Sequence, residues 1–131
     1  VLCSGSQSDN INASLHRINP LDNSLEATFT FENNSDTPGR LDINGTNDTL
    51  YYLNNGVFQM PILSTELPGI PLIESEGRNF YGLGVHPKTS EVFVADAIDF
   101  VQRGEVSVYQ ADGRFVNSFL AGIIPGDFYF K

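Results

Sequence analysis

The sequence predicts an all-β protein built from repeated four-stranded propeller blades, and three observations predict it. No stretch carries apolar residues at the i, i+3, i+4, i+7 spacing of an amphipathic helix. Short apolar or alternating runs recur between clusters of Gly, Pro, Asn and Asp, as strands recur between turns. Those runs also match one another, in a constant order, along the 131 residues.

The matches define the repeat. Leu41-Asp42-Ile43 aligns with Leu83-Gly84-Val85, and after a polar turn Leu50-Tyr51-Tyr52-Leu53-Asn54 aligns with Val92-Phe93-Val94-Ala95-Asp96. A third run follows in each copy, Val57-Phe58-Gln59-Met60 and Val106-Ser107-Val108-Tyr109. Asp22–Phe29 pairs with Asp112–Phe119 as a turn and an outer strand, and Pro38–Ile43 is echoed by Pro125–Phe130. The copies lie 42 residues apart at their first two strands and 49 apart beyond an insertion that follows Asp96. Four short strands at about that period mark a β-propeller blade.

With strands lettered A to D from the centre outward, each element has its place. The first blade supplies strands B, C and D within residues 1–31: Val1–Ser4, Ser14–Asn19 and Leu25–Phe31. The second, residues 38–77, reads Arg40–Ile43, Thr49–Asn54, Val57–Ile62 and a poorly defined outer strand. The third, residues 78–122, reads Tyr81–Val85, Glu91–Asp96, Glu105–Gln110 and Phe115–Ala121, and 125–131 reads as a closing strand A. About three antiparallel blades cannot close a ring, since propellers use about four to eight. The reading is therefore a partial propeller, continued by the remaining blades of a longer chain or completed as a half-ring by a second copy. A start without Met and in mid-pattern fits a piece of something longer.

Composition narrows the partners. Seven basic against 16 acidic residues give a net charge of −9, which repels nucleic acid and anionic lipid. Cys3 is the one cysteine, so no intrachain disulfide forms. The opening VLCSG has the look of a lipidation site, but Leu2 stands where a small residue belongs, and Cys3 reads as a buried strand residue. Four N-x-[ST] sequons, at Asn12, Asn33, Asn44 and Asn47, read as turn residues.

The segment GLGVHPKTSEVFVADAIDF, with GEVSVYQADGRFVNSFLAGIIPGDF after it, resembles the repeats of YVTN- and NHL-type β-propellers. It is similar in particular to the C-terminal blades of uncharacterised propeller surface lipoproteins of Gram-negative gut bacteria. The close match covers Tyr81 to Phe130, and a looser pattern extends over most of the chain. The resemblance implies a place at the cell surface or outer membrane, or in the periplasm, within a longer protein.

Candidate chemistry sits in two connections. On a propeller the A–B and C–D turns share one face, while the B–C and D–A connections share the other, which usually carries ligands. His86 falls in an A–B turn and Asp96 ends strand B, roughly 15 Å away along an extended strand, too far to share a metal. The insertion DAIDFVQRG places Asp96, Asp99, Phe100 and Arg103 in a B–C loop, and LSTELPGIPLIESEGRN adds Arg78 with Glu66, Glu74 and Glu76. Two carboxylates, an aromatic ring and guanidinium groups suit a glycan, a peptide, a cation or a protein partner, and Glu66, Glu74 and Glu76 would join Asp96 and Asp99 in an acidic rim; the alternatives are a loop that merely stabilises its blade and a solvated charged loop. No Ca²⁺ loop, nucleophile elbow or phosphate-binding glycine motif is present. No catalytic residue, metal ligand or cofactor is assigned. The expectation is a non-enzymatic propeller that binds through its B–C/D–A face. The alternatives are a propeller hydrolase or lyase acting on a glycan or lactone, and a purely structural segment.

Overall fold

The structure is a computed structural model describing residues 1–131, and it is all-β. Three antiparallel sheets follow one another along the chain. The first contains β1 (Leu2–Cys3), β2 (Ser14–Ile18) and β3 (Leu25–Thr30). The second contains β4 (Gly39–Ile43), β5 (Thr49–Leu53), β6 (Gly56–Pro61) and β7 (Ile73–Glu74). The third contains β8 (Phe80–Val85), β9 (Val92–Asp96), β10 (Arg103–Tyr109) and β11 (Phe115–Ile123). Each sheet is a meander in which every strand pairs with its predecessor, as blades are.

Period-2 geometry explains how the blades stack. Successive side chains of a strand point to opposite faces. In β5, Tyr51 and Leu53 join Val57 and Ile73 in a buried cluster with Leu83, Val85, Val92, Val94 and Tyr109 of the third blade. Tyr52, between them in sequence, points the other way and is buried with Met60 against Ala13, Leu15, Phe29 and Phe31 of the first blade. The second blade is thus sandwiched, and its middle strand is apolar on both parities. That is why "LYYL" reads as a continuous apolar run rather than an alternation.

Polar contacts hold the inner strands in register. The Asp42 carboxylate of β4 accepts from the Val85 amide of β8 at 2.7 Å, and Arg40 Nε donates to the Tyr81 carbonyl at 2.7 Å. Between the first two blades, Arg17 donates to the Ile62 carbonyl at 2.8 Å and pairs with Glu26 at 3.3 Å. At the A–B turns the backbones themselves meet: a Cβ built on Gly45 would lie 1.6 Å from the Pro87 carbonyl oxygen.

Two sequence expectations change. Cys3 is exposed, not buried. The strand alternation puts its neighbour Leu2 against the core of the first two blades, so Cys3 faces away. Residues 125–131 form no ladder. They cross the face of the third blade that points away from the second, where Phe128 and Phe130 lie 5.9 Å and 5.1 Å from Phe93. Gly82, Gly84 and Gly104 leave the space that Pro125, Gly126 and Phe128 fill. An inner strand needs the rest of its own blade to pair with, and this segment has a neighbouring blade's face instead.

The Gly45 contact makes a sharp prediction. Gly45→Ala must push the second and third blades apart at a backbone atom, and should cost about 1–3 kcal/mol in denaturant unfolding. Gly122→Ala, with nothing within 4 Å of the added carbon, should be close to neutral.

Candidate functional site

The B–C loop of the third blade is closed by its own backbone. Asp96 Oδ1 accepts from the amides of Asn79 at 3.0 Å and Ile98 at 2.8 Å. Asp99 Oδ1 accepts from Val101 at 3.0 Å and Gln102 at 2.9 Å, and its second oxygen takes the Gln102 side chain. These amide bonds hold the Asp99 carboxyl below its ordinary 3.8. Phe100 packs edge-on against Tyr81 at 5.7 Å, and Arg40 lies over the other part of that stack, 4.8 Å from the Tyr81 ring. Arg103 donates to the Ala121 carbonyl at 2.9 Å, so it ties β10 to β11 and pairs with no carboxylate.

Arg78 is engaged elsewhere. Its guanidinium donates to the carbonyls of Ser75 and Glu74 and to the Tyr109 hydroxyl, lies 4.7 Å from the Phe80 ring and approaches Glu76 at 3.6 Å. None of Asp96, Asp99, Phe100, Arg103 and Arg78 shares a hydrogen bond with another. The structure places Asp99 and Phe100 in the loop, Asp96 at the end of β9 and Arg103 at the start of β10, and turns Arg78 toward the β7–β10 junction. His86 lies in its turn as the sequence suggests, its Nδ1 accepting from the amides of Lys88 and Thr89 at 3.2 Å and 3.1 Å.

The largest concavity lies where the sequence offered no motif. A cleft of about 570 Å³ opens between the first and second blades. One wall is Thr28 to Phe31 of β3 with Glu32, Asn33 and Asp36 of the following D–A connection. The floor is Tyr52, Asn54 and Phe58, and the other wall is Thr65 to Gly69 of the connection between β6 and β7. Glu66 therefore belongs to this cleft, while Glu74 and Glu76 lie beside Arg78 in a smaller depression, and no single acidic rim forms.

Local structure makes the cleft stiff. Asp36 Oδ1 accepts from the Asn54 side chain at 3.0 Å and Oδ2 from the Asn33 amide at 3.1 Å, which joins the D–A connection to the B–C turn of the next blade. Asn12 donates to the Phe31 carbonyl at 2.9 Å, anchoring the start of that connection. Tyr52 stacks on Phe58 at 5.5 Å and meets Phe31 edge-on at 5.8 Å, so the aromatic floor has fixed ring planes.

The Tyr52 ring is 1% exposed, yet its hydroxyl has no protein partner. Tyr52 lines the cleft, and its hydroxyl, which is not fully enclosed, makes no hydrogen bond within the protein. Burial, and then the negative charge of Asp36, push its pKa up to about 12. It is a neutral phenol at physiological pH, able both to donate and to accept.

No family model matches the chain, and no curated protein does. Among solved structures it is similar to a crystal structure described as a quinonprotein alcohol dehydrogenase-like protein from Bacteroides thetaiotaomicron. The TM-score is 0.70 at 16% identity, over 92% of this chain and 30% of that one. The neighbour has a propeller-type fold. The three sheets are blades of a β-propeller.

At that identity the likeness concerns fold alone, and this chain spans about 30% of the neighbour's length.

Two measurements follow from the site. Tyr52 ionises in the fold only near pH 12, whereas its free value is 10.0. A raised folded pKa means full stability below pH 10 and a loss as pH rises toward 12. Tyr52→Phe should flatten that alkaline loss, and an unchanged slope would place the burden on another group. For Asp99 the sign is opposite: its contribution is present above 3.8 and is lost as pH falls through the lower folded value. Carbon-detected NMR of the Asp99 carboxyl should give a midpoint under 3.8, with the Val101 and Gln102 amides titrating alongside.

Proposed function

We propose that the chain is a segment of a propeller-based binding module that engages its ligand through the B–C/D–A face, without catalysing a reaction. The supporting observation is the cleft between the first two blades. Its lining comes from a D–A connection and a B–C turn, cross-linked by Asp36 and Asn54, and from the C–D connection of the second blade, which runs back to the B–C end before β7 pairs there. Its volume, about 570 Å³, falls in the range of small-ligand sites, roughly 300–1,000 Å³. The groups lining it are carboxylates, amides, hydroxyls and rings, which suit recognition of a glycan, a peptide or a protein side chain.

The resemblance of Tyr81–Phe130 to surface lipoproteins supports a location at the cell surface or in the periplasm. Further blades, or a second copy, complete the propeller in this reading. Its support is the 30% share of the structural neighbour that the chain spans, together with exposed apolar side chains on β11, among them Phe115, Phe119 and Leu120.

Two assays on the intact protein test the reading: a glycan and peptide array, and turnover of model lactones and glycosides. Binding on the array without turnover is the expected result. Turnover abolished by substitution on the B–C/D–A face would replace the binding module with an enzyme.

A further inference from the structure

We propose that the cleft between the first and second blades is a site for an alkylammonium group, an organic cation carried on a short apolar stem. This deepens the binding reading above and rests on it. Three features of the cleft select such a ligand.

The charge is of one sign. Glu32, Asp36 and Glu66 line the cleft, and none of the seven Lys and Arg residues and neither His does. Arg17 approaches the outside of the 62–69 connection, but it is held there by the Ile62 and Ser64 carbonyls and by Glu26. The Asp36 carboxylate is fixed by two donated hydrogen bonds and keeps lone pairs free, while the side chains of Glu32 and Glu66 have no partner within the protein. A cation entering here meets uncompensated negative charge beside a low-dielectric floor, where Coulomb attraction is stronger than in water.

The carboxylates surround the cleft without converging. No group of three His, Cys, Asp or Glu side chains comes close enough to hold a metal ion. A bare divalent cation needs several oxygens at about 2.0–2.6 Å. An organic ammonium does not, because it accepts hydrogen-bonding partners spread over its N–H directions and adds contact through its stem.

The floor is aromatic and contains one orphaned polar atom. Phe29, Phe31, Tyr52 and Phe58 offer ring faces and edges, and an ammonium over a ring face is attracted by the ring quadrupole. Tyr52, almost wholly buried, lines the cleft with its hydroxyl unpaired within the protein, and that oxygen can accept an N–H. The protein leaves that hydroxyl's hydrogen bond open, and a ligand N–H can take it up. The ammonium thus sits between the Tyr52 oxygen and the carboxylate of Asp36 or Glu66, with its methylene stem along Phe58 and Pro68.

Free diamines and lysine side chains of a peptide share this chemistry, and calorimetry on the intact protein separates them. Pentane-1,5-diamine and N-acetyl-lysine amide are titrated beside pentane-1,5-diol, which has the same stem without charge. Saturable binding of either amine, at least tenfold tighter than the diol, supports the inference, and the tighter amine names the source. Glu66→Gln and Glu32→Gln, both at exposed positions, should each weaken amine binding about three- to tenfold. Tyr52→Phe should weaken it by a similar factor, with the fold checked by circular dichroism.

Diol binding as tight as amine binding would overturn the alkylammonium site while leaving a ligand cleft in place. Amine affinity unmoved by both glutamine variants would place the cation elsewhere and overturn it too. Binding of no probe, with a positive array, would remove this inference alone; a silent array as well would remove the binding module.

Discussion

Everything in this molecule depends on the second blade being packed on both faces. A β-strand sends alternate side chains to opposite sides, so a sheet sandwiched between two others must be apolar at consecutive positions. Tyr51 and Tyr52 meet that demand in adjacent residues. Tyr51 closes the interface with the third blade, and Tyr52 closes the interface with the first. Shifting β5 by one residue would exchange the two tyrosines and misplace every contact of the strand, which is why the register is so strongly specified.

The same parity explains the chemistry. Tyr52 is buried because it faces the first blade, and its ring reaches far enough outward for its hydroxyl to emerge at the edge of that interface. Where two twisted blades diverge there, the space between them becomes the cleft. The D–A connection of one blade and the B–C turn of the next are joined by Asp36 and Asn54, so the mouth is as well defined as the floor. The third blade shows the contrasting outcome: its inserted loop is rich in functional groups, but Asp96 and Asp99 turn inward to backbone amides and hold the loop's own shape.

Much of the architecture was legible from the residues. The repeat placed most strands within one or two residues of their observed ends, because turn clusters and apolar runs report directly on where a strand can pair. The outer strand of the second blade was obscure for a physical reason: β7 pairs only Ile73 and Glu74 with β6, and the connection before it makes no ladder. Cys3 was misplaced because a two-residue strand carries too little pattern to fix its parity. The cleft was illegible because its walls come from residues 28–36, 52–58 and 65–69, which meet only when two blades pack. The one signal present was the tyrosine in "LYYL", a polar tip within an apolar run, and it says nothing alone about what stands opposite.

The most direct test of this account asks which tyrosine senses a ligand. With the ζ-carbon of every tyrosine labelled, the intact protein is titrated with pentane-1,5-diamine and followed by NMR. The account predicts a saturable shift at Tyr52 and none at Tyr51, one residue away on the opposite face. Equal shifts at both, or a shift at Tyr51 alone, would contradict it.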